Sequence, residues 1–425
     1  MPLVRNVAVL AAGEGRRLGA GRPKVLTPLW GRPAVRYPLE AARTLQPERI
    51  VVVGGQHLAA IQAALGPGAG ADVFFARQEQ PTGTGAALLA AREALGGASG
   101  PLLVLYGDCP LTTPELLTRL LSAHAAARAA VTVLTVNLAR PAGYGRIVRD
   151  AAGQLARIVE ERDADAATRA LTEVNTGVYV VELPGAFEDL LTAGRDNSQG
   201  EVYLTDLVAL TLRRGERVAS MACPDPTEVL GFNDHRELAQ VRALLRRRII
   251  DGHLAAGVEI VDPDTTFIDA DVRIEPGARI LPCTVIEGDT RIAAGCEVGP
   301  FAHLRTGTVL HTGAEVGNFT ETKAATLGAG TKAKHLSYLG DAVIGANANI
   351  GAGTITANYD GKSKHPTRIG DRAFIGSGTV LVAPLTVEDE AITGAGAVVT
   401  RRSVVRARET WVGVPARPLH PRKDP

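Results

Sequence analysis

Val7-Ala-Val-Leu-Ala-Ala-Gly-Glu-Gly-Arg-Arg-Leu-Gly-Ala-Gly-Arg-Pro-Lys-Val-Leu26 is the stretch around which the first half of the chain is arranged. Val7 to Leu10 is an apolar run with β-branched residues, long enough for a buried strand and too short for a globular helix. Gly13 and Gly15 follow, where the missing Cβ lets the backbone approach a ligand and turn its N–H groups toward an anion. Arg17 and Lys24 add two cations within reach of the same loop. Strand, glycine loop and cations together predict a cradle for a triphosphate.

Two blander readings compete with that one. Gly13-x-Gly15-x-x-x-Gly19 could be a variant dinucleotide fingerprint or only a turn. The fingerprint calls for an acidic residue closing the second strand, yet Ile50 to Val53 is followed by Gly54-Gly55-Gln56-His57. There is no Gly-Lys-Ser/Thr of a P-loop either. With Pro23-Lys24-Val25-Leu26 included, the stretch resembles the signature of sugar-1-phosphate nucleotidyltransferases. That resemblance implies that the Arg and Lys stabilise the triphosphate under attack.

A chain of 425 residues is too long for one hydrophobic core and predicts two domains. A net charge of +1 with 21% charged residues gives no global field, so no nucleic acid is expected as a partner. No apolar run reaches bilayer-spanning length, and the chain enters its first strand without a signal-peptide core, which predicts a soluble cytoplasmic protein with no membrane insertion. Cys109, Cys223, Cys283 and Cys296 are too scattered for a zinc ribbon or a redox pair and read as packing residues.

Through the first half, strand-like runs (Ile50 to Val53, Val73 to Ala76, Leu102 to Tyr106, Val131 to Val136, Val178 to Val181) alternate with helical stretches such as Ala86 to Leu95 and Pro114 to Ala127. Alternation of this kind predicts an α/β, Rossmann-like domain with a mostly parallel sheet and ligands at the carboxyl ends of its strands. Gln78 to Gly85 follows a strand and opens a helix, so its amides and Thr84 could bind a base or ribose, or Thr84 could simply cap the helix. Tyr106-Gly107-Asp108 closes a strand with a carboxylate, the type of ligand a hard divalent cation on phosphate oxygens requires. Gly143-Tyr144-Gly145-Arg146 reads as a hairpin turn. Glu160 and Asn175-Thr176-Gly177 fall where sugar hydroxyls could be held.

The order of these residues carries more than any one of them. Leu10-Ala11-Ala12-Gly13, Lys24, Gln78, Gly83-Thr84, Tyr106-Gly107-Asp108, Gly145, Glu160, Asn175 and Asn233 resemble the uridyltransferase half of the bifunctional N-acetylglucosamine-1-phosphate uridyltransferase/glucosamine-1-phosphate acetyltransferase family. The resemblance implies UTP as substrate, Mg2+ held by Asp108 and Asn233, uracil contacted by Gln78 and Gly83-Thr84, and the sugar held by Gly145, Glu160 and Asn175. It further implies in-line attack of a sugar 1-phosphate on the α-phosphorus, with Arg17 and Lys24 neutralising charge. Glu14 and Arg16 depart from the family's usual Lys and Thr in the glycine loop.

From Asn233 to Ile250 the sequence turns helical, which predicts an arm joining domains 1–231 and 253–425 through a linker helix at 232–252. Asn233 could equally be its N-cap. Beyond it, Ile268, Ile274, Ile280, Ile286, Ile292, Val298, Leu304, Leu310 and Val316 recur every six residues. Six matches neither a helix nor a flat sheet, but suits a coil whose three flat sides each turn one aliphatic inward. Hexapeptide repeats of this kind predict a left-handed parallel β-helix. The series resumes at Ile344 and Ile350, and again at Ile369, Ile375, Leu381 and Val387. The gaps at 332–341 and 358–367 are expected to protrude as loops.

Those segments are polar. Lys332-Ala-Lys-His335-Leu-Ser-Tyr338 offers a general base near neutral pH, and Asn358-Tyr359-Asp360-Gly361 adds amide and phenol groups. Arg305, Lys323, His335, Tyr338, Asn349, Ala352, Asn358-Tyr359, Ser377 and Ala395 resemble the acetyltransferase half of the same family. The resemblance implies that Arg305, Lys323, Tyr338 and Asn349 hold glucosamine 1-phosphate, and that His335 takes the amine's proton. Ala352, Asn358, Tyr359, Ser377 and Ala395 would then lie along acetyl-CoA, in a homotrimer with sites between subunits. Two departures stand out: a shortened interval between Asn233 and Arg305, and Gly413 where the family commonly keeps an Arg for the CoA phosphate. Arg401, Arg402, Arg406 and Arg417 are candidate substitutes. The competing expectation is a nucleotidyltransferase whose coil serves only trimerisation or regulation.

Overall fold

The computed structural model describes residues 4–13, 21, 23–66 and 69–419. Two compact units result, Met1–Leu245 and Arg246–Pro425.

In the first unit the strands Val218–Ala222, Val131–Asn137, Glu173–Leu183, Gly100–Tyr106, Asn6–Leu10, Arg49–Gly54 and Val73–Arg77 lie side by side in that order. Glu173–Leu183 runs antiparallel to both neighbours, and the other pairs along this row are parallel. Asn6–Leu10 sits near the middle, which explains its unbroken apolar character: a strand covered on both faces has no polar side to show. Val7 and Val9 pack with Leu39, Ile61 and Leu117 from the helices Arg36–Arg43, Leu58–Leu65 and Pro114–Ala127. Ala8 and Leu10 face the opposite layer with Leu88, Phe187 and Leu207, from Thr84–Ala90, Gly185–Thr192 and Asp206–Arg213. This is the α/β architecture that the alternation predicts.

Two local readings need correction. The helix expected over Ala86 to Leu95 spans Thr84–Ala90 and continues only as turns, ending in the left-handed Gly96 and Gly97. Gly143 to Arg146 is not a hairpin turn; it leads into the strand Arg146–Arg149, which pairs with Leu155–Val159, so the reversal falls at 150–154. There Asp150 Oδ1 accepts from the amides of Ala152 and Gln154 at 2.9 Å, supplying a turn that the glycine pair does not.

The predicted helical arm is the helix His235–Ala255. Its N-cap is Asp234, whose Oδ1 accepts from the backbone N–H of Arg236 and Glu237 at 2.8 and 2.9 Å. Asn233 is thereby free of the capping role.

The second unit is the predicted parallel β-helix. Its two- to four-residue strands stack into sheets of ten, eight and eight strands, one per side. Ile268, Ile274, Ile280 and each further aliphatic of the six-residue series is buried. A coil takes 18 residues where Ile268 lies opposite Ile286, 17 where Val316 lies opposite Ala333, and 25 where Ile350 lies opposite Ile375. The 25-residue coil carries the expected protrusion around 358–366. The other expected loop, 332–341, is absent: Lys332–His335 and Tyr338–Gly340 are ordinary rungs. The pattern breaks there because Thr322, Leu327, Ala333 and Leu339 continue the inward series through small or polar residues and a five-residue step. Buried Thr284, Thr290, Thr308 and Thr354 donate their hydroxyls to the carbonyl three residues back, at 2.6–2.8 Å. Satisfied in this way, a threonine can sit inside without the cost of a stranded polar group.

Candidate functional site

The carboxyl ends of the central strands open on a cleft of about 260 Å³. Lys24, Thr84, Tyr106, Asp108, Gly145, Glu160, Asn175 and Asn233, all expected from the sequence, line it together. Leu10 ends its strand opposite Tyr106, and Ala11 N donates to Val53 O at 2.8 Å, which places Ala11 and Ala12 at the same edge of the sheet. Gln78 is buried and donates Nε2 to Gly83 O at 3.0 Å, so it braces the loop before the Thr84–Ala90 helix. Thr84 does not cap that helix; its hydroxyl accepts from Leu204 N at 3.0 Å. Arg17, Glu14 and Arg16 lie outside the described residues. A larger hollow of about 830 Å³, bounded by Arg77, Arg92, Glu93 and Phe187, gathers none of these groups.

Charge converges on Lys24. Its ammonium pairs with Asp108 Oδ2 and donates to Asn233 Oδ1 at 2.8 Å, and it sits 5.6 Å from the centre of the Phe232 ring. Two oxygens from distant parts of the chain thus face one cation. Gly231 leaves room for this, since a Cβ there would meet Asp108 O at 3.1 Å. One carboxylate and one amide oxygen suit Mg2+, which binds few protein oxygens and completes its shell with phosphate and water. Among the described residues no cluster of three or more His, Cys, Asp or Glu could form an all-protein cage.

The far end of the cleft is less charged. Burial pushes the Glu160 carboxyl up, while the Thr205 hydroxyl, donating to it at 3.1 Å, opposes the shift. Burial likewise pushes the Tyr106 phenol well up and that of Tyr144 to about 12, so both stay neutral donors. Gly177 is required beside Tyr106: its φ is +82° and a Cβ would overlap the ring. Gln199, Glu201 and Tyr203 also line the cleft, and sequence reading missed them. The one available signal was a polar connection between two helices, and such segments commonly carry function.

On the β-helix the expected residues form two groups. Lys323 Nζ lies 3.2 Å from Asp341, which also accepts from Asn358 Nδ2, while Arg305 pairs with Glu321 at 2.8 Å. Lys364, missed in the sequence, joins them: contact with the Lys323 ammonium pushes its own amine down. Tyr338 belongs here too, because a Cβ on Gly340 would meet both its hydroxyl and Asn358 Nδ2. Cations with hydroxyl and amide donors are the kinds of group that bind a phosphorylated polar ligand.

The second group is a column. His335 closes a strand of the ten-stranded sheet, with its side chain exposed. The register carries that position to Ala352, Ser377 and Ala395 on successive coils. Gly378 N donates to Ala352 O and Gly396 N to Ser377 O, both at 2.7 Å. Only small side chains follow one another up this corner, and the register extends the column to Gly413. Asn349 lies on the same sheet, opposite Lys332. His335 and Lys323 close strands of two different sheets of the prism, and so stand at different corners. Of the candidate substitutes for an Arg at 413, Arg401 is engaged with Asp360, and Arg417 donates to Ala416 O.

Residues 7–175 match the model of the MobA-like NTP transferase domain, and residues 366–401 that of the hexapeptide repeat of succinyl-transferase. Curated relatives align along almost the whole chain. The "Bifunctional protein GlmU" of Pelobacter propionicus is 44% identical over 94% of this chain and 94% of its own. Those of Trichlorobacter lovleyi and Brevibacillus brevis are 43% and 40% identical, covering 92% and 93% of this chain and 92% of each relative. Among the described residues no helix is long and apolar enough to cross a membrane. With both halves present and one run of similarity joining them, the chain belongs to the GlmU family of bifunctional proteins.

Proposed function

We propose that this chain acetylates glucosamine 1-phosphate from acetyl-CoA and then couples the product to UTP, releasing pyrophosphate. Over 40% identity across both halves of bifunctional relatives is the observation that carries the reading. In the first unit, Lys24 would sit against the triphosphate, and Asp108 and Asn233 would hold Mg2+. That ion supplies charge neutralisation on the phosphate oxygens. Glu160, Asn175 and the Gly145 backbone would hold the sugar so that its phosphate oxygen attacks the α-phosphorus as the bond to pyrophosphate breaks. Positioning and charge do most of the work in such transfers, and no nucleophilic side chain is needed.

In the second unit, Arg305, Lys323 and Lys364 would bind the sugar phosphate. His335 takes a proton from the ammonium; the freed amine attacks the thioester carbonyl, the C–S bond breaks and the CoA thiol leaves. The column from Ala352 to Ala395 would seat acetyl-CoA. We further propose a homotrimer through the β-helix. Its support is the separation of His335 from the Lys323 group, together with exposed apolar residues beside it. Phe301 and Phe319 stack at 5.1 Å on the corner that Leu336 continues, and Leu336 is 63% exposed. Four unpaired cysteines suit the reducing cytoplasm.

Purified protein should release thiol from acetyl-CoA with glucosamine 1-phosphate, and pyrophosphate from UTP with N-acetylglucosamine 1-phosphate and Mg2+. Pyrophosphate release without any thiol release would reduce the protein to a nucleotidyltransferase with a structural coil.

A further inference from the structure

The 358–366 protrusion carries Asn358, Tyr359 and Lys364, yet it is an excursion from the prism with little buried surface of its own. Its inner end is held by Asn358 on Asp341. Its outer end is held from elsewhere: Arg401 Nη2 lies 2.9 Å from Asp360 Oδ2 and 2.7 Å from His365 Nε2, and that nitrogen is 2.8 Å from the same carboxylate oxygen. The register places Arg401 two coils beyond Asn358 on one corner, with Ala383 between them. A methyl group there leaves the path clear for the guanidinium to reach back. Within the loop, Asp360 also accepts from the amides of Lys362 and Ser363 at 2.9 and 2.8 Å, and His365 N donates to Asn358 O at 2.7 Å. Pulling on Asp360 and His365 therefore sets where Lys364, between them in sequence, is presented to Lys323.

We propose that Arg401 is a positioning residue for acetyl transfer: it latches the protruding loop through Asp360 and His365 and so holds Lys364 over the sugar-phosphate site. The proposal rests on the acetyl-transfer reading of that loop. It removes Arg401 as a replacement for an arginine at position 413, since its guanidinium is spent on the latch.

The test compares Arg401→Ala, Arg401→Lys and wild type in thiol release and in UTP-dependent pyrophosphate release, with hydrogen exchange measured over 358–366. For Arg401→Ala the expectation is a KM for glucosamine 1-phosphate raised about tenfold, the scale of a displaced binding group. Little change is expected in kcat, in the melting temperature or in pyrophosphate release, and Arg401→Lys should recover most of the loss. Exchange in the loop should quicken in the alanine variant. An unchanged KM, or a loss that lysine does not repair, overturns the latch, as does unchanged exchange. Wild-type protein that releases no thiol overturns the acetyl-transfer reading instead, and the exchange comparison still decides whether Arg401 holds the loop.

Discussion

The two units build polar sites by opposite means. In the α/β unit, Lys24, Asp108 and Asn233 reach one another inside a cleft, and the lysine side chain is only 11% exposed. On the β-helix, His335 stands at an exposed corner where Ser337 Oγ donates to its backbone carbonyl at 2.8 Å, and the Lys323 cluster occupies another corner. A strand-end cleft gathers side chains from several strands and loops into one hollow, whereas the prism carries its groups on its outer walls. The first unit brings its expected groups together in one cleft, whereas the second spreads them over two corners.

His335→Ala should lower thiol release by about 10²–10⁴-fold, the usual contribution of a general base, and leave pyrophosphate release intact. A variant that retains thiol release would remove His335 as the base. Asp108→Asn should lower pyrophosphate release by about 10²–10³-fold, as expected where charge stabilisation is lost, and spare acetyl transfer. Loss of both activities in either variant would break the division of labour between units.

Gly177→Ala should destabilise the first unit by about 2–4 kcal/mol, from overpacking against Tyr106 and an L-residue held at positive φ. Thermal or urea unfolding should then show an earlier transition for that unit and an unmoved one for the β-helix. The smallest effect concerns pH. Because burial raises the Glu160 carboxyl in the folded state, its contribution to stability is full below its ordinary value of 4.5 and is lost as pH rises through the raised folded value. Glu160→Gln should therefore flatten the stability profile on that rising side, seen as a smaller fall in urea midpoint; an unaltered slope would place the cost elsewhere.

Local periodicity was enough to read the backbone of both halves. Asn6–Leu10 and its parallel neighbours were legible because doubly covered strands are apolar throughout, and the prism was legible because each flat side turns one aliphatic inward every six residues. Where the inward residue is Thr322 or Ala333, or a coil shortens to 17 residues, that signal fails and a rung reads as a loop. The cleft residues were readable by type and order, but Gln199, Glu201 and Tyr203 carry no pattern.

What the chain determined unaided was therefore which residues face inward, since burial repeats with the geometry of each element. Which polar groups meet is settled by packing: Lys24 finds Asp108 across the sheet edge, and Arg401 finds Asp360. Such pairs join residues far apart in sequence, and contact at that range is set by how strands and coils stack.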